Sequence, residues 1–80
     1  MKQYRIMLNG IDAVKSFVSM INNYNVQADL QCGSYAVDAQ SILGIFTLNL
    51  TQELLLVVRA IHPENYIEEF ENELQPYLIT

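Results

Sequence analysis

Val37-Asp-Ala-Gln-Ser-Ile-Leu-Gly-Ile-Phe-Thr-Leu48 carries the chain from a short strand into a short helix. Ser41 sits where the helix begins, and serine is a preferred N-cap because its hydroxyl accepts from a free amide of the first turn. The β-branched residues and Gly44 make this a weak helix by propensity alone. Just before it, Tyr35 to Asp38 reads as a return strand. Its partner is the clearest strand in the sequence, where Val26, Ala28, Leu30 and Cys32 alternate with Gln27, Asp29 and Gln31. Gly33-Ser34 fits the two-residue turn between them, since glycine tolerates positive φ at the first central position.

Toward the N-terminus, Val14, Phe17, Val18, Ile21 and Tyr24 form the apolar stripe of an amphipathic helix that ends near Asn22-Asn23. Asp12 is placed to cap its start. Lys2 to Leu8 alternates, with Tyr4, Ile6 and Leu8 on one face and Arg5 and Met7 on the other, which predicts a strand with one buried side. Toward the C-terminus, Glu53 to Arg59 reads as a buried strand. Pro63 suits the first turn of a last helix, whose stripe is Ile67, Phe70, Leu74 and Tyr77. Glu68, Glu69, Glu71 and Glu73 are its solvated flank rather than a metal site, because calcium needs ligands converging from a loop.

The order is β-α-β-β-α-β-α in 80 residues, enough for one domain spanning 1–80. It predicts an α+β open-faced sandwich, a mostly antiparallel four-stranded sheet with three helices on one face. A composition 51% hydrophobic supports a folded core. With a net charge of −5, nucleic acid and anionic membrane surfaces are not expected partners. The longest apolar run, Leu54 to Val58, is too short to span a bilayer, and no signal peptide opens the chain, so a cytoplasmic location is expected. Cys32, the single cysteine, rules out an internal disulfide and is expected to be a small buried side chain. No base–nucleophile pair, metal cluster or glycine-rich phosphate loop is visible, so neither an enzyme nor a cofactor is expected.

Both the element order and the Val37–Leu48 stretch resemble HPr, the phosphocarrier family of the bacterial sugar phosphotransferase system. That family shows a Ser-Ile-Met-Gly-Val-Met-like core where this chain has Ser-Ile-Leu-Gly-Ile-Phe. The resemblance covers almost the whole chain and breaks at the opening of the first helix. HPr proteins carry Gly-Ile/Leu-His-Ala-Arg-Pro there, with the histidine accepting phosphate. This chain reads Asn9-Gly-Ile-Asp-Ala-Val-Lys-Ser16, about two residues shorter by alignment outward from Ser41, without His, Arg or Pro. Phosphocarrier activity is therefore not expected.

The resemblance implies a regulatory role instead. Ser41 matches the serine that an ATP-dependent kinase phosphorylates in many Gram-positive HPr proteins. Ile42, Leu43 and Phe46 match the apolar patch through which the family meets its partners, while Ile45 and Leu48 are expected to point inward. The catabolite-repression paralogue of HPr also lacks the histidine, keeps the serine and works through proteins. The expected partners are accordingly proteins of the phosphotransferase or catabolite-control system. Two other readings stay open. One is a phosphocarrier with a displaced acceptor, either Asp12 or His62, the only histidine. The other is a weak homodimer built through the open sheet face, where strand alternation places Met7, Leu55 and Val57.

Overall fold

The computed structural model describes residues 1–79. Its elements are β1 (Lys2–Ile6), α1 (Ile11–Asn22), β2 (Asn25–Cys32), β3 (Tyr35–Asp38), α2 (Ile42–Ile45), β4 (Leu54–His62) and α3 (Ile67–Leu74). Short 3-10 turns, Glu64–Tyr66 and Gln75–Tyr77, flank α3. The sheet order is β1-β4-β2-β3 and every pairing is antiparallel. The predicted element order and fold class hold.

Alternation explains the core. Ile6, Leu30, Leu54 and Leu56 leave the sheet on one face and are fully buried beneath Val14, Phe17 and Ile21 of α1 and Phe70 and Leu74 of α3. The other face carries Arg5, Asp29 and Arg59, with Arg5 bonded to Glu53 and Arg59 to Asp29. Gly33 has φ 60, as the hairpin turn requires, and β3 begins at Tyr35.

Several boundaries differ from expectation. β1 stops at Ile6, although Leu8 beyond it is still fully buried. α2 is four residues long rather than reaching Leu48. β4 continues past Arg59 to His62 because of a bulge: Ala60 pairs with Gln27 but Val58 pairs with Ala28, leaving Arg59 as the extra residue. Core positions on β4 therefore step from Val58 to Ile61, and a search for strict alternation loses the strand there. Pro63 precedes the 3-10 turn rather than opening an α-helix. Tyr24 lies beyond the end of α1, where its ring still packs against the core and its hydroxyl bonds Glu73.

Two tyrosine–glutamate bonds tie α3 to the rest of the fold. The Tyr4 hydroxyl donates to Glu71 Oε2 at 2.6 Å, and Lys2 Nζ donates to the same oxygen at 3.3 Å. The Tyr4 bond holds the Glu71 carboxyl below its ordinary pKa, with Lys2 adding to the effect. Burial, then the Glu71 carboxylate, push the Tyr4 phenol well above its ordinary range. A lowered carboxyl pKa contributes stability that is present above 4.5 and lost as pH falls below it. A raised phenol contributes stability that is present below 10.0 and lost as pH rises above it. Tyr4→Phe should cost about 1 kcal/mol at neutral pH. It should also make stability fall less steeply at both extremes, as read from urea titrations across pH.

Candidate functional site

Ser41 is extended, with φ −95 and ψ 103, and its Oγ accepts from Gly44 N at 3.1 Å. Its carbonyl accepts from Ile45 N at 3.0 Å, so side chain and backbone together start α2. At the other end, Thr47 Oγ1 donates to the Gly44 carbonyl at 2.6 Å. Local hydrogen bonds thus offset the low propensity of the segment.

Gly44 has a further role that its weak helix propensity concealed. A Cβ there would lie 3.3 Å from Val37 Cβ and 3.1 Å from Ser41 Oγ, so any larger residue would crowd the approach of α2 to β3 by a few tenths of an ångström. With α2 seated against β3, its side chains divide between core and solvent. Ile45 is fully buried and Leu48 nearly so, as expected. Ile42 is half-buried against the core. Leu43 is 78% exposed and Phe46 40%, three residues apart and hence on one side of the turn.

The remaining candidates are scattered. Asp12 does not cap α1: the N-cap is Gly10, with φ 95 and ψ 179 and no side-chain cap bond. Asp12 stands in the first turn, where a carboxylate is favoured by the helix dipole without accepting a cap bond. His62 is exposed at the far end of β4, opposite Asn25, which follows α1 by three residues. Asp12 and His62 are therefore separated by nearly the length of α1, about 15 Å at 1.5 Å per residue. They cannot form one site. On the open sheet face, Leu55 is half-buried, and Val57 is only 6% exposed between Gln3 and Asp29. Met7 lies past the end of β1, half-buried. Cys32 is half-buried rather than buried, with Sγ donating to Gln52 Oε1 at 3.7 Å. It lines an open groove of about 550 Å³ with Tyr35, Thr47, Leu48, Asn49 and Gln52.

Ile11 is a surface residue that the pattern concealed. It is 61% exposed in the first turn of α1. Its place three residues before Val14 marks it as part of the core stripe, so spacing carried no signal of its exposure. Among the described residues, no three of His, Cys, Asp and Glu gather as metal ligands would.

Fold and site together define an α+β open-faced sandwich carrying a serine-capped helix with two outward apolar side chains. Solved HPr structures share this fold. The crystal structure of HPr-C-His from Thermoanaerobacter tengcongensis matches with a TM-score of 0.73 and 21% identity, covering 94% of this chain and 92% of that one. The phosphocarrier protein HPr from Bacillus anthracis str. Ames matches with a TM-score of 0.66 and 17% identity, covering 90% of this chain and 94% of that one. At such identities the likeness is one of fold. No protein-family profile matches the chain, and no curated protein matches it in sequence.

Proposed function

We propose that this chain is a non-catalytic, HPr-like binding protein that regulates through protein contacts made by α2. Leu43 and Phe46 supply the contact surface, Ile42 forms its base, and phosphorylation of Ser41 switches it. The observation that carries this reading is the outward pair Leu43 and Phe46 beside an exposed serine. Large apolar groups held in water by a rigid turn are the kind of anchor that partner proteins bury. Proteins of the phosphotransferase or catabolite-control system are the partners this reading favours. The net charge of −5 disfavours nucleic acid and anionic lipid. No helix among the described residues is long and apolar enough to cross a membrane.

Intact mass after two parallel incubations tests the proposal. One contains phosphoenolpyruvate and enzyme I, the other ATP and the HPr serine kinase. The expected result is one phosphate from the kinase only. Ser41→Gly is the better control than Ser41→Ala, because glycine at an N-cap costs only a few tenths of a kcal/mol and alanine about 1. It should abolish the added mass and leave the fold intact. Acid-labile phosphate gained from enzyme I would overturn the reading and direct attention to His62 and Asp12.

A further inference from the structure

A sheet with free edges presents unpaired amides and carbonyls that invite another strand. The two edges here are treated differently. β3 is four residues long and ends where Asp38 folds the chain away, its Oδ1 accepting from Gln40 N at 2.8 Å and its carbonyl from Ser41 N at 3.0 Å. β1 has no such turn. Along its outer side lies the segment Tyr77–Ile79: Met7 N donates to the Tyr77 carbonyl at 2.9 Å, and Ile79 N donates to the Arg5 carbonyl at 3.0 Å. Leu78 forms an antiparallel bridge with Ile6.

The segment is anchored on the core side. Leu78 packs against the core, and the Tyr77 ring meets Phe17 edge-on at 5.4 Å and 83°. The α-helical run has ended by Leu74, and Leu78 is already extended, with φ −68 and ψ 141. The chain thus leaves its last helix and lies extended along β1, joined to it by a single bridge.

We propose that Tyr77–Ile79 is an edge guard, which occupies the outer pairing position of β1 at Arg5 and so prevents this strand from pairing with β1 of a second copy. A second copy fits the edge for a geometric reason. Arg5 offers its carbonyl outward, so strand alternation turns the backbone of Gln3 outward as well. Antiparallel pairing centred on Tyr4 then sets Gln3 of one copy against Arg5 of the other, and no like charges stand directly opposite. While the guard is in place, only the small fraction of molecules with a released segment is competent to pair, and because both copies must release it the apparent dimer affinity is reduced by the square of that fraction.

The test uses the full chain. Leu78→Ser with Ile79→Pro removes the core anchor and the amide that bonds Arg5. Sedimentation equilibrium should show the parent as single chains of 9.2 kDa. The double variant should associate at least about 25-fold more strongly, toward twice that mass. Adding Gln3→Pro removes an outward amide without touching the β1–β4 ladder, and should restore single chains. If the double variant loses its native far-UV circular dichroism, Ile79→Pro alone supplies the same contrast, with about a 25-fold gain from the loss of one hydrogen bond in each of the two copies. Single chains at every concentration in a folded variant, or a dimer that survives Gln3→Pro, would refute the guard.

Discussion

Phe70→Ala should lower the free energy of unfolding by about 3–5 kcal/mol, the range for deleting a buried phenyl ring. A domain of this length has roughly 4–12 kcal/mol in all, so the variant stands at the edge of folding. The ring is fully buried under the sheet, and two tyrosines meet it edge-on. Tyr24 lies at 5.4 Å and 89°, and Tyr4 at 6.5 Å and 61°. Those same tyrosines bond Glu73 and Glu71 of α3 through their hydroxyls. Removing the ring therefore leaves a cavity and loosens both supports of the helix at once. Urea denaturation followed by tyrosine fluorescence measures the loss. Phe70→Leu, which retains much of the volume, should recover more than half of it; a cost below about 1 kcal/mol for Phe70→Ala would contradict the packing described.

Gly10→Ala should cost about 1–3 kcal/mol for a purely conformational reason. Gly10 has φ 95 and ψ 179, a region that residues with a Cβ hardly enter. Nothing lies within 4 Å of where that Cβ would stand, so crowding makes no contribution. The cost arises because Gly10 turns the chain from Leu8, whose carbonyl accepts from Gly10 N at 3.2 Å, into α1, where Val14 N donates to the Gly10 carbonyl at 3.2 Å. Gly44→Ala gives the opposite case: it gains helix propensity but meets Val37 Cβ at 3.3 Å. Thermal denaturation of the two variants side by side separates backbone strain from crowding. A neutral Gly10→Ala would show that the entrance to α1 can relax into another conformation.

The elements most legible in the sequence were those whose signal is local and regular. The β2–β3 hairpin follows from strict alternation and one glycine, and it begins and ends within a residue of expectation. The stripe Val14, Phe17, Val18 and Ile21 marks the buried side of α1, to which the structure adds Met20. The readings that failed depended on something outside their own segment. Asp12 has the right chemistry for a cap, but the helix starts one residue before it at Ile11, and Gly10 holds the cap position. The full length of β4 was hidden because Arg59 is a bulge residue, set by pairing with a strand 30 residues earlier.

The candidate site divides in the same way. A serine before a weakly helical, apolar stretch is enough to locate an N-cap, and Ser41 caps α2 as its chemistry requires. The identity of the fold also follows from sequence, through element order and the Ser41–Phe46 pattern. Which of Ile42, Leu43, Ile45 and Phe46 meets solvent does not. Four helical residues make little more than one turn, too few for periodicity to define a face. Tertiary packing decides it: α2 lies against β3, with Ile45 in the core cluster and Leu43 and Phe46 outside it.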